Sequence, residues 1–174
     1  MSLADIANFS QIIASLAVVA SLIYLAVQVG QTERNQRAMI QQGRADRASG
    51  GALTLAHPAM ATVFRKGMVG DPALTQEEFD QLLMMCRGLL LSGEDSFLQH
   101  SAGLLDQGAF DSWAAGARAY MAAPGLRAVW TMTARQYSAS YRDFINANVV
   151  NVPVATGVDA FATWQQLVRD QVSA

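Results

Sequence analysis

The stretch from Phe9 to Val29, FSQIIASLAVVASLIYLAVQV, restricts what this chain can fold into more than any other, because no charged residue occurs between Asp5 and Glu33. Eleven of its residues are Phe, Ile, Leu or Val, four are Ala, three Ser, two Gln and one Tyr. As an α-helix rising about 1.5 Å per residue it reaches ~30 Å, the thickness of a bilayer's hydrocarbon core. At roughly −0.3 to −0.6 kcal/mol for each large apolar residue, insertion gains about 3–6 kcal/mol before the polar positions subtract. Three fates compete for such a stretch: an uncleaved anchor, the buried helix of a soluble protein, and a cleaved secretory signal. A signal calls for a basic leader, a shorter apolar run and a small-residue cleavage site. Residues 1–8, MSLADIAN, carry an acid and no Lys or Arg. The expectation is therefore an uncleaved transmembrane helix over residues 1–30.

Charge on the flanks sets its orientation. Only Asp5 precedes the span, whereas Arg34, Arg37, Arg44 and Arg47 follow it. Arginine accumulates on the cytoplasmic side of a membrane helix. This predicts an outside amino terminus and a cytoplasmic carboxy-terminal domain, with Tyr24 at headgroup level. Alternating steps of three and four pick out Ala7, Ser10, Ala14, Ala17, Ser21, Tyr24, Gln28, Gln31, Asn35, Ala38, Gln42, Ala45 and Ser49. All but Tyr24 are small or uncharged polar residues, while Ile12, Leu16, Val19 and Ile23 lie opposite. Apolar bulk gives helices no reason to associate in lipid, so small residues that permit close backbone approach mark a contact face. A repeat of 3.5 residues implies left-handed supercoiling. The stripe is expected to pack on a second copy of the chain or on a partner helix. Alternatives are a pore with Gln28, Gln31 and Asn35 at its inner mouth, packing on the chain's own domain, or a solvated face.

Residues 31–51 are polar nearly all round, with Met39 and Ile40 the only large apolar residues. A helix of this kind bridges parts of a protein or is unstable, and it is expected to continue the anchor as a stalk as far as Gly50–Gly51. Beyond it, 52–174 reads as a helical domain. Helices are expected from Pro58, from the capping box Thr75-Gln76-Glu77-Glu78 to about Ser101, and from Asp106 or Gln107 to Met121. Others are expected from Pro124 to about Gln136, from Ser138 to Asn148 and from Asp159 to Val172. Inner faces are predicted to hold Phe79, Leu83, Cys86, Leu90 and Phe97, then Phe110, Trp113, Ala117 and Tyr120, then Leu126, Val129, Trp130 and Thr133. The valines of 149–154 suggest an extended segment around Pro153. The fold class is all-α: a transmembrane helix, its stalk and a compact bundle.

Catalytic signatures are lacking. His57 and His100 have no acid three residues before them, as a bundle metal site would want. No G-x-S-x-G, G-x-x-x-x-G-K or G-x-G-x-x-G run occurs, so no cofactor or metal is expected. The net charge of −2 gives no field that would attract nucleic acid. One cysteine, Cys86, cannot close an internal disulfide and falls on an apolar face. The informative polar residue is Glu94, on the face expected to be buried, where a carboxylate needs a partner. An arginine from a neighbouring helix, such as Arg118, Arg127 or Arg135, is one candidate. A small-ligand pocket built from Glu94, Asp95 and His100 is another, and a simple exposed position is the third.

LIYLAVQVGQTERNQRA (residues 22–38) and FLQHSAGLLDQGAFDSW (residues 97–113) resemble a widespread group of bacterial single-pass membrane-anchored proteins with a helical cytoplasmic domain. The likeness extends to about Phe144, although Gly30 and Glu33 depart from the more basic version of that pattern. It implies an inner-membrane location and no particular activity. The sequence thus points to a non-enzymatic membrane protein that assembles with itself or with a partner. The alternatives are an oligomeric channel and a membrane-tethered ligand sensor or enzyme.

Overall fold

The computed structural model describes residues 3–154 and 160–172, with side chains placed for Asn8 and from Gln11 onward, Ala160 excepted. Helix follows helix: α1 (Leu3–Ala56), α2 (Pro58–Val69), α3 (Gln76–Ser101), α4 (Gln107–Met121), α5 (Pro124–Thr133), a 3₁₀ turn (Ala134–Gln136), α6 (Ala139–Asn148) and α7 (Ala160–Val172). No strand occurs among the described residues, so the protein is all-α. The chain divides into two units, residues 1–43 and 44–174.

The first unit is helical from Leu3 onward. Every large apolar side chain from Ile12 to Val29 is more than half exposed, between 52% and 67%. Among the described residues the serine and threonine hydroxyls of this unit are satisfied within the helix. Ser15 Oγ donates to the Gln11 carbonyl and Ser21 Oγ to that of Ala17, each at 2.8 Å, and Thr32 Oγ1 to that of Gln28 at 2.9 Å. Beyond the apolar run, Arg37 pairs with Glu33 one turn before it at 2.7 Å.

In the second unit the helix does not break at Gly50–Gly51 as the sequence suggests, but runs on to Ala56. Glycine weakens a helix yet keeps its N–H, so the hydrogen-bond ladder continues. Proline stops it instead: Pro58 disfavours the helical conformation in the residue before it, and His57 is extended at φ −71°, ψ 127°. Pro58 then opens α2 as its first residue. Gly70, in the left-handed conformation at φ 74°, closes it with its cap amides bonded to the Gly67 and Lys66 carbonyls. The expected capping box forms: Thr75 Oγ1 accepts from Glu78 N at 3.2 Å and Glu78 Oε2 from Thr75 N at 2.9 Å. Glu78 also receives Lys66 Nζ at 2.8 Å, tying α2 to the start of α3. Asp106 caps α4 through the Ala109 amide at 2.9 Å.

The core joins Leu82, Cys86 and Leu90 of α3 to Val129 and Trp130 of α5 and to Tyr141 and Ile145 of α6. Helices α2 and α5 approach so closely that a Cβ on Gly125 would lie 1.9 Å from the Gly67 carbonyl oxygen. Two local expectations shift. On α4, Phe110 is buried and Trp113 and Ala117 pack against the core as expected, but Tyr120 is 44% exposed and its neighbour Met121 is buried instead. Val149 is the C-cap of α6 and fully buried, its amide bonded to Ile145 O at 3.0 Å, so it closes the helix in a turn instead of starting an extended segment. On α7, Phe161, Trp164, Leu167 and Val168 are 37–64% exposed. The expected helix start at Asp159 lies outside the described residues.

Candidate functional site

The structure sends Glu94, Asp95 and His100 of α3 to three different partners. Glu94, half-buried, accepts the Ser138 amide on Oε1 at 2.7 Å. Ser138 is the N-cap of α6 and makes no capping bond with its own side chain. A carboxylate from another helix thus satisfies one of the amides that every helix start leaves open, and its charge suits the positive end of the dipole. The candidate arginines are engaged elsewhere or exposed. Arg118 Nε donates to the Asn148 carbonyl at 2.9 Å, Arg127 donates to the Met121 and Val152 carbonyls, and Arg135 is exposed. Asp95 pairs with Arg47 at 2.5 Å, both side chains 44% exposed, and accepts Gln99 Nε2 at 3.0 Å. His100 Nδ1 donates to the Leu105 carbonyl at 3.1 Å and stacks on Phe110 with centroids 4.0 Å apart. It fastens the turn between α3 and α4. The three side chains do not converge on a pocket.

Along α1 the small and polar stripe is laid out in register. Ala14, Ala17, Ser21, Tyr24, Gln28, Gln31 and Asn35 are all exposed, while the side chains of Ala7, Phe9 and Ser10 lie outside the described residues. Gln28 Nε2 donates to the Tyr24 hydroxyl at 2.6 Å, so two of the larger stripe residues are joined one turn apart. On a straight helix a 3.5-residue stripe drifts by about 20° per heptad. Among the described residues one helix is long and apolar enough to cross a membrane, by length and composition.

A feature that the sequence did not point to is a cavity of about 670 Å³ inside the second unit. It lies between the last turns of α1, from Arg47 to Leu55, and the facing parts of α3 and α4, Met84–Gly93 and Ser112–Met121. Its floor includes Leu90, Met121, Tyr141 and Ile145, each no more than 4% exposed. Each of the four glycines Gly50, Gly51, Gly88 and Gly116 lines it, and a Cβ on any of them would meet nothing within 4 Å. Each stands inside a helix, where glycine costs roughly 1 kcal/mol relative to alanine. Gly93 also lines it for a different reason: its Cβ would lie 2.4 Å from the Tyr141 hydroxyl oxygen.

Titratable chemistry is sparse. Burial pushes the Cys86 thiol up to about 11, far from a reactive thiolate. Glu78 is held below the usual carboxylate range, first by its hydrogen bond from Lys66 and then by the Thr75 amide. Burial raises Tyr137 and Tyr141. Among the described residues no group of three or more His, Cys, Asp or Glu side chains is placed to hold a metal ion. No protein-family model, no curated protein and no solved structure matches the chain, and what it does has to be read from its own residues.

Proposed function

We propose that this chain is a single-pass protein of the inner (cytoplasmic) membrane that assembles rather than catalyses. Its amino-terminal helix sits in the bilayer with the amino terminus outside, the carboxy-terminal helical domain is cytoplasmic, and the small and polar stripe packs on a second copy or a partner helix. The observation that carries this reading is the run from Ile12 to Val29, in which every large apolar side chain is more than half exposed. A soluble monomer rarely exposes a contiguous apolar surface of that extent. Hydroxyls already bonded to backbone carbonyls add support, because lipid offers polar groups no partner. The orientation rests on the arginines that follow the span. The resemblance of residues 22–38 and 97–113 to bacterial membrane-anchored proteins agrees with the same address.

Crosslinking of single cysteines tests the assembly. In a Cys86→Ala background in native membranes, cysteines at Ala14, Ala17 and Ser21 should form crosslinks, and those at Leu16 and Ile23 should not. Dominant crosslinks at Leu16 and Ile23 would reject the face. The cavity of the second unit favours one further reading, a membrane-tethered sensor of a small apolar ligand.

A further inference from the structure

We infer that the groove bounded by α1, α3 and α4 is the docking site of the chain's own carboxy-terminal helix, α7, which closes its mouth with Trp164, Leu167 and Val168 turned inward. The arrangement described above, with both surfaces uncovered, is then the open one. The inference concerns residues 47–172 and does not depend on the membrane anchor. An apolar ligand of the sensor reading would have to displace α7.

Helix α7 lacks the cover that a helix of its length needs. It has 13 residues, and isolated helices shorter than about 12–15 residues are marginal in water, most helical stability coming from the packing of an amphipathic face. Trp164 and Leu167 stand 59% and 56% exposed, on the same side as Val168. Gln166 and Asp170 bond to each other at 2.8 Å on the opposite side. The groove offers the matching surface. Above its closed floor its walls include Leu55, Met84, Met85, Leu89, Trp113 and Tyr120, each half-buried or exposed and so within reach of a partner. Apolar side chains of an amphipathic helix laid between apolar walls are a common mode of recognition.

The chain leaves the bundle at one end of this groove. Met121 and Val149 line it, and the Arg127 guanidinium holds the Met121 and Val152 carbonyls together. Val152 therefore stands beside Met121. The eight steps of chain from Val152 to Ala160 reach at most ~28 Å, at ~3.5 Å each. The part of α3 that lines the groove, Met84–Gly93, is ~14 Å long at ~1.5 Å per residue. The tether is long enough for α7 to reach its own groove. It is also short enough to hold the helix there at the millimolar effective concentration of a short linker.

Charge fixes the direction. A Cβ on Gly93 would lie 3.1 Å from Trp113 Cζ2, so α3 and α4 run antiparallel along the groove. Met121 is then at one end, and Arg47, paired with Asp95 at 2.5 Å, is at the other. Entered from the Met121 end, α7 lays residues 160–168, which carry no charge, along walls whose one charged residue is Arg47. Its charged residues, Arg169 and Asp170, arrive at the Arg47–Asp95 end, where each meets an opposite charge.

The test uses the full chain with Cys86→Ala, one copy per lipid nanodisc, and two introduced cysteines. Gly88→Cys puts a thiol in the groove, where an added Cβ meets nothing within 4 Å. Leu167→Cys puts the other on the apolar side of α7. Mild oxidation should join the two within one chain, as read by intact mass and peptide mapping. The rate should be several-fold higher than for Gly88→Cys combined with Gln166→Cys on the polar side, and Trp164→Asp should suppress it. In the chain without introduced cysteines, Trp164→Asp should speed amide hydrogen exchange in residues 160–172. Exchange in residues 141–145 should stay unchanged, which checks that the bundle remains folded. Equal rates for Leu167→Cys and Gln166→Cys, disulfides that form only between chains, or exchange in 160–172 that Trp164→Asp leaves unaltered would each overturn the inference.

Discussion

Removing the carboxylate of Glu94 should loosen the start of α6, and the size of the effect follows from the contact. Glu94 Oε1 takes the Ser138 amide at 2.7 Å, and that amide belongs to the N-cap of α6, whose own hydroxyl does no capping. A hydrogen bond to a charged group contributes about 1.5–3 kcal/mol. The negative charge at the helix start adds about 0.3–1 kcal/mol. Glu94→Ala should therefore cost roughly 2 kcal/mol, and Glu94→Gln, which keeps an acceptor but no charge, roughly 1 kcal/mol. For a domain of this size, each kcal/mol moves the melting temperature by about 4 °C. Tyr141 and Ile145 of the same helix are 1% exposed, so near-UV circular dichroism and the fluorescence of Trp130 should follow the loss. Arg135→Met serves as the control, because Arg135 is exposed and Glu94 is held by a backbone amide. A Glu94→Ala protein that melts with the parent would show that the contact carries no energy. An Arg135→Met variant as damaging as Glu94→Ala would reinstate an ion pair.

Alanine at Gly88 should stabilise the protein by about 0.5–1 kcal/mol, since its Cβ meets open space. Alanine at Gly93 should destabilise it by about 1–3 kcal/mol, because that methyl meets the buried Tyr141 hydroxyl at 2.4 Å; chemical denaturation of the pair checks the contrast. Thr75→Ala should cost about 1 kcal/mol by breaking the capping box. Glu78 titrates lower folded than unfolded, so its contribution is present above the ordinary carboxylate pKa and disappears as pH falls through the folded one; acid melts of the parent and Glu78→Gln should converge there. Cys86 titrates at about 11 folded against 9.0 for the ordinary thiol, so stability should be unaffected below pH 9 and decline toward pH 11 as the unfolded thiol ionises first. The loss at Cys86 is at most roughly 3 kcal/mol, with Tyr137 and Tyr141 adding to it at higher pH, and Cys86→Ala should blunt the decline in an alkaline melting series.

What was legible in the sequence was local. The Thr75–Glu78 box, the start of α4 at Asp106 or Gln107, Pro58 and Pro124 at helix starts and the inward line of Leu126, Val129, Trp130 and Thr133 each depend on residues within a turn or two. Where a local signal has rivals it misleads: Gly50–Gly51 suggests a break, but glycine keeps its N–H and the helix runs on until Pro58 stops it. The α4 face holds through Phe110, Trp113 and Ala117 and departs only at its end, where a step of four from Ala117 reaches Met121 and a step of three reaches the exposed Tyr120. The site was less legible because its parts are distant in sequence. Glu94 could be singled out, but its partner Ser138 lies 44 residues on and is a backbone amide, which no residue pattern announces. The cavity needs glycines on α1, α3 and α4 to face one another, and each alone reads as a loose spot in a helix.

The central claim is that residues 12–29 lie in lipid and turn their small-residue side to another helix. Spin labels placed singly from Ile12 to Asn35, in a Cys86→Ala chain reconstituted in liposomes, test it through collision with oxygen, which favours lipid, and with a water-soluble nickel chelate. The account predicts oxygen access dominating from Ile12 to Val29, dipping at Ala14, Ala17 and Ser21, and giving way to the chelate by Asn35. Chelate access dominating throughout 12–29 would contradict it.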